Sequence, residues 1–132
     1  MKSFNLKVVT PDGQLFDAPV ESLLIRTDDG DVEFLAGHID YMASLGTGRA
    51  RIKADGKDRY ASVSGGFVTV KGGEVKLVAI TFEFREDIDL DRAKAARDEA
   101  KETLSSSKDD KALKLASAKL KRALNRIGVA EM

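Results

Sequence analysis

Apolar and polar residues alternate along the first two-thirds of the chain, then recur every three to four residues along the last third. Phe4, Leu6 and Val8 alternate with Asn5 and Lys7, the period of a half-buried strand. Thr10-Pro11-Asp12-Gly13 predicts a turn, because proline presets φ and glycine accepts a positive φ. Val20–Arg26 predicts a second strand, closed by Asp28-Asp29-Gly30. Ala50, Ile52 and Ala54 alternate with Arg49, Arg51 and Lys53, which puts apolar residues in and basic residues out. Asp55-Gly56 predicts a hairpin turn, and Phe67–Val70 with Val75–Ile80 predicts another hairpin across Lys71-Gly72-Gly73. Gly65-Gly66-Phe67 reads as a close backbone approach followed by a core aromatic. Many short strands without intervening helices predict a small β-sandwich or barrel over residues 1–84.

The period changes after Phe84. Asp87-Ile88-Asp89 offers carboxylates to cap a helix. Ala93, Ala96, Ala100 and Leu104 then repeat at helical spacing. The run Ser105–Asp110 breaks that helix and caps a second one, whose stripe is Leu113, Ala116, Leu120, Ala123, Leu124 and Ile127. Gly128 is the expected stop. The short connection makes the two helices antiparallel neighbours over residues 85–132. The fold class expected is therefore α+β, an N-terminal antiparallel β-sandwich followed by a C-terminal antiparallel two-helix hairpin. The first helix buries mostly alanine. At roughly 25 cal/mol per Å2 of apolar area, such a hairpin is marginally stable alone and suits a movable element.

Composition narrows the function. The 132 residues suit one domain, or one small domain with an appendage. The 22 basic and 22 acidic residues cancel, whereas a nucleic-acid binder carries a basic excess. There is no cysteine for thiol chemistry and one histidine, too few for a histidine-based metal site. Met1-Lys2 leads straight into a strand pattern, so neither a leader nor a membrane span is expected, and any work at a membrane runs through a partner. Charge is unevenly spread. Lys111, Lys114, Lys119, Lys121, Arg122 and Arg126 make the second helix a basic rod, while residues 82–110 are acid-rich. Complementary charge favours a closed hairpin, and an acidic partner could compete for the rod. A merely solvated helix face is the plain alternative.

Antiparallel pairing about residue 107 sets Arg92 opposite Arg122, and Asp89 near Arg126. Arg122 and Arg126, four apart, share a face. Guanidinium forks match phosphate oxygens in bidentate geometry, so three of them could hold a polyphosphate. Asp89 could accept from an exocyclic amine. The same spacing also permits a salt-bridge cluster with Glu83, Glu86, Asp87 and Asp91. Asp87-Ile88-Asp89-Leu90-Asp91 begins like a calcium loop, but Arg92 replaces the glycine and Asp98 the bidentate glutamate, so capping is the better reading. Leu45-Gly46-Thr47-Gly48 lacks both the third glycine and the helix of a phosphate loop, and no P-loop motif is present. His38 has no evident nucleophile partner, and Ser64 lies outside a nucleophile-elbow frame.

In order and spacing these segments resemble the epsilon subunit of the F-type ATP synthase, of the bacterial, bacillus-like kind, over essentially the whole chain. Val8-Val9-Thr10-Pro11-Asp12-Gly13 resembles the family's opening strand and turn. Gly37-His38 lies in a segment similar to G-I-L-P-G-H, and Val63-Ser64-Gly65-Gly66-Phe67 is similar to V-x-G-G-F. Ile88-Asp89-Leu90-Asp91-Arg92-Ala93 matches the I/L-D-x-x-R-A motif of ATP-binding members. Lys121-Arg122-Ala123-Leu124-Asn125-Arg126 and Val129-Ala130-Glu131 resemble the end of the bacillus-type branch. Glu33, Ala36 and Asp40 depart from the pattern, in a loop over residues 31–41 that faces the membrane ring in the family.

The resemblance implies a non-catalytic regulatory subunit of the proton-translocating ATP synthase. It implies a central-stalk (rotor) sandwich joined to the gamma subunit and the ring of c subunits. It implies a hairpin that inhibits ATP hydrolysis when extended toward the alpha/beta catalytic head, meeting an acidic loop of beta. ATP is the implied regulatory ligand, not hydrolysed, with the part played by magnesium open. The implied ATP-binding residues are Glu83, Ile88, Asp89, Arg92, Ala93, Arg122 and Arg126. The implied place is the cytoplasmic face of the bacterial cell membrane, peripheral and reached only through the complex, with no nucleic-acid partner and no metal site. Set against this are a rotor subunit whose hairpin is purely structural, a free-standing ATP-sensing protein, and an enzyme, the last lacking any nucleophile, metal set or P-loop.

Overall fold

The structure is a computed structural model and describes residues 2–132. The chain divides into two compact units, Met1–Phe84 and Arg85–Met132. The first unit holds eight strands: β1 Phe4–Thr10, β2 Gly13–Val20, β3 Ser22–Thr27, β4 Gly30–Leu35, β5 Tyr41–Ser44, β6 Gly48–Ala54, β7 Lys57–Lys71 and β8 Glu74–Phe84. They run in the order β2-β1-β8-β7-β6-β3-β4, with β5 added against β7. The long β7 serves both layers of the sandwich. Its first half pairs with β6 and its second half with β5, while β8 accompanies it from Ala61 to Lys71. Alternation then does what period two requires. Phe34, Leu6, Leu23, Ile25, Ile52 and Leu77 are fully buried between the layers.

Several expectations change in detail. β2 and β5 carry weak alternation and become legible only through their partners, whereas β4 alternates across Asp31-Val32-Glu33-Phe34. The strand read from Val20 begins at Ser22. The two segments on either side of Gly65-Gly66 are one strand, because both residues take positive φ (72° and 94°) and turn β7 without ending it. A Cβ on Gly66 would lie 1.9 Å from the Val78 carbonyl oxygen, so the close backbone approach is real. Phe67 is not a core aromatic. It is 41% exposed, because Val68 and Val70 take the inward positions and parity sends Phe67 out. One pairing departs from the antiparallel scheme, since β1 runs parallel to β8.

The loop between β4 and β5 is built around aromatic edges. The His38 ring meets Phe34 at 4.8 Å and Tyr41 at 5.9 Å. The loop expected over residues 31–41 is strand as far as Leu35, so Glu33 lies in β4, and both Glu33 and Asp40 have structural uses. Glu33 accepts from the Arg51 guanidinium at 3.3 Å, and the Asp40 carboxylate accepts from the Gly72 N–H at 3.0 Å. Ser64 is likewise structural, its hydroxyl sharing a 2.9 Å bond with Thr47. Gly46 and Gly48 border the Arg26 side chain, which accounts for that glycine pair.

Arg26 and Asp31 face each other across β3 and β4, with Nε to Oδ1 at 2.6 Å. The hydrogen bond from Arg26 holds the Asp31 carboxyl below the usual carboxylate range. A carboxyl lowered in this way stabilises the fold above its unfolded pKa, and that contribution is lost as pH falls through the lowered value. Both side chains are half exposed, so the stabilising effect is small. In a carboxyl-carbon NMR titration Asp31 is expected to protonate below the usual carboxylate range. Arg26→Ala should raise it toward that range.

The second unit opens with a 3-10 turn at Arg85–Asp87. Helix α1, Leu90–Ser106, is capped by Asp89, and helix α2, Asp110–Ala130, is capped by Asp109. Their facing residues are small: Ala93, Ala100, Ala116 and Ala123 are buried, with Ile127 on the same stripe toward the end. Leu124 leaves the expected stripe and stands 48% exposed. Gly128 does not end α2. The helix runs two residues further, to Ala130, and burial of Val129 offsets the ~1 kcal/mol that glycine costs inside a helix. The Arg85 guanidinium donates to the main-chain oxygen of Met132 and ties that last turn to the start of the unit.

Candidate functional site: an arginine-lined groove in the helical hairpin

Asp89 sets the geometry at the start of α1. Its Oδ1 accepts from the Arg92 N–H at 3.1 Å, and its carbonyl accepts from Ala93 N–H at 3.0 Å. The capped first turn presents Arg92 on the face where Ala96, Glu99 and Thr103 follow at helical spacing. On α2, Arg126, Arg122, Lys119 and Leu115 form the matching row. Alanines at the interface let the helices approach closely, and the longer side chains wall a groove of about 440 Å3 between the rows. That volume falls in the range of small-molecule sites.

Arg92, Arg122 and Arg126 all line this groove. Among the described residues, the Arg92 and Arg122 guanidiniums have no ion pair to a carboxylate, so the salt-bridge cluster does not form at these two. Arg126 is engaged within the protein. Like charges facing one groove repel, and an anion placed among them removes that repulsion. The groove therefore suits an anionic ligand with several oxygens.

The other candidate residues are not among those lining the groove. Ala93 is buried at the helix interface, 2% exposed. Ile88 is half-buried just before the cap. Glu83 sits on β8, paired with Ser62 in the sandwich unit. Three polar lining residues, Glu99, Lys119 and Thr103, are not placed in the site by the sequence. Extending the antiparallel arithmetic inward from Arg92 and Arg122 would have found them.

A second surface belongs to the sandwich. Phe67 stands on the outer face with Met42, 70% exposed, and Ile80, 64% exposed. Ile80 lies across Gly65, where an added Cβ would meet its Cδ1 at 2.7 Å. Ile39, in the loop before β5, is 78% exposed. Clustered exposed apolar residues mark protein–protein contact surfaces.

These features define a small two-unit protein of the sandwich-plus-hairpin class. The family model for the ATP synthase delta/epsilon chain β-sandwich domain matches residues 3–85, and that for its long α-helix domain matches residues 86–131. The chain belongs to the ATP synthase delta/epsilon family. It is 44% identical over 130 residues to the ATP synthase epsilon chain of Bacillus subtilis, and 41% identical to that of Bacillus velezensis, covering 98% of each chain in both cases. A chain of the Euglena gracilis mitochondrial ATP synthase, from a structure of its OSCP/F1/c-ring assembly, superposes with a TM-score of 0.84 at 26% identity. The match covers 98% of this chain and 82% of that one. A chain from the Tetrahymena thermophila ATP synthase central stalk and c-ring shares the fold, with a TM-score of 0.67 at 10% identity. Among the described residues no helix is long and apolar enough to cross a membrane.

Proposed function

We propose that this chain is a non-catalytic, central-stalk subunit of the F-type proton-translocating ATP synthase whose helical hairpin senses ATP. The observation that carries the reading is the convergence of Arg92, Arg122 and Arg126 on one groove between two alanine-faced helices. ATP binds there as a regulatory ligand and is not hydrolysed. Its phosphates lie on the three guanidiniums, and Ile88, Asp89 and Ala93 hold the adenosine end. The outer face carrying Met42, Phe67 and Ile80, together with the loop carrying Ile39, docks the sandwich on the gamma subunit and the ring of c subunits. The complex works peripherally at the cytoplasmic face of the cell membrane.

The switch follows from linkage. The groove needs both helices, so it exists only in the closed hairpin, and ATP stabilises that state alone. At ATP a hundredfold above Kd the closed state gains roughly 2.7 kcal/mol. That is comparable with what an interface of four alanines and Ile127 supplies. When ATP falls, the arginines repel, the hairpin opens, and the basic α2 is free to meet the acidic loop of beta in the alpha/beta head and inhibit hydrolysis.

Calorimetric titration of ATP into the full chain, with and without magnesium, tests the reading. Saturable one-to-one binding is expected, weakened at least tenfold by Arg126→Ala, since a hydrogen bond to a charged group contributes about 1.5–3 kcal/mol. Binding that ignores this substitution would remove the arginines from the site. No binding at millimolar ATP would leave the hairpin structural, which is the alternative role for the same rotor subunit.

A further inference from the structure

Glu99 is the one carboxylate among the described residues lining the hairpin groove, where Arg92 shares its helix and Lys119, Arg122 and Arg126 line the opposing wall. It is exposed, and among the described residues its carboxylate has neither a hydrogen bond nor an ion pair. It lies seven residues beyond Arg92 on α1, about 10 Å along the axis at 1.5 Å per residue. The loop joining the helices centres on Lys108. Counting outward, Glu99 and Lys119 stand at the same level to within about 3 Å, and Arg92 falls between the levels of Arg122 and Arg126. The groove is thus strongly cationic at its open end and charge-balanced in the middle.

We infer that Glu99 is a charge-selectivity residue of this groove, one that weakens the binding of highly charged nucleotides and narrows the preference for free ATP over its magnesium complex. The inference rests on the nucleotide reading above and concerns which ionic form of the ligand the site accepts. The repulsion between Glu99 and phosphates seated on the arginines scales with ligand charge. Free ATP carries about −4 and the magnesium complex about −2, so the carboxylate penalises the first twice as much in free energy. Lys119, at the same level, offsets part of this penalty and places a cation where the phosphate chain would reach from Arg122.

The test is titration of the full chain with ATP, with and without saturating magnesium, for wild type, Glu99→Gln and Glu102→Gln. Glu102 is exposed on α1 outside the groove and controls for net charge. Glu99→Gln is expected to tighten free ATP about fivefold and the magnesium complex about twofold, as the charge ratio requires. The gain should shrink at 0.5 M salt, where the Debye length falls to roughly 4 Å. Glu102→Gln should leave both affinities unchanged. Equal gains in the two glutamine variants, or equal gains for the two forms of ATP, would overturn the assignment. So would an unchanged Glu99→Gln. If wild type binds no ATP but Glu99→Gln does, the carboxylate is strong enough to silence the site, which upholds this inference and overturns ATP sensing by the native chain. If neither binds, both fall. Glu99→Ala, also compatible with a helix, repeats the test should the glutamine variant lose helix content by circular dichroism.

Discussion

Gly66→Ala is expected to unfold the sandwich at temperatures where the parent chain is stable. Gly66 has φ +94°, a region that L side chains rarely adopt. Its added Cβ would sit 1.9 Å from the Val78 carbonyl oxygen and 2.9 Å from the carbonyl carbon. Both obstacles are backbone, so no rotamer change relieves them. β7 and β8 form the central seam of the unit, with β8 also paired to β1, and neither strand can retreat without giving up ladder hydrogen bonds. Strain of this kind joins the few single substitutions that exceed about 4 kcal/mol. For a unit of this size that is a fall in Tm of about 20 °C or complete unfolding. Gly72→Ala separates clash from conformation, because Gly72 also has positive φ (59°) but nothing within 4 Å of an added Cβ. It should lose only about 1 kcal/mol. Equal losses in the two variants by scanning calorimetry would mean that β8 moves aside freely.

The second large effect is expected in the hairpin. Ala123 is 1% exposed and faces an interface whose other buried members on these helices include Ala93, Ala100 and Ala116. Small residues let the helices approach closely. Ala123→Glu would place a long, charged side chain in that gap, and an uncompensated buried charge costs several kcal/mol. The interface has little reserve to absorb it. The expected result is loss of the α1–α2 contact and with it of ATP binding, because the groove requires both rows of side chains. The β-sheet signal should persist. Ala118→Glu introduces the same charge at an exposed position on α2 and should change neither helix content nor ATP affinity. Retained ATP binding in Ala123→Glu would show that the groove does not depend on the closed hairpin.

Parts of the molecule were readable directly from the residues. The turns at Pro11-Asp12, Asp28-Asp29, Asp55-Gly56 and Gly72-Gly73 fall where the sequence predicts them. In the last two, both residues take positive φ, as a tight hairpin turn demands. The helix caps at Asp89 and Asp109 were equally local, since a cap needs only a side-chain oxygen and the next free N–H. Phe67 reads as core on size alone, but its parity against the inward Val68 and Val70 turns it outward. The short β5 was invisible, since a four-residue strand carries too few alternations to stand out.

By itself, then, the sequence determined what depends on neighbours a few residues apart. These are the two periods, the turns, the helix caps and the presence of three arginines on two faces that a short loop must fold together. Only the tertiary structure decided what depends on residues brought together from far along the chain. It made β7 one bent strand, set β1 parallel to β8, and placed Glu99 and Lys119 on the walls of the arginine groove. Local preferences act through bonds and single turns of backbone. Strand partners and groove walls are chosen by burial and charge summed over the whole unit, and no window of sequence contains that sum.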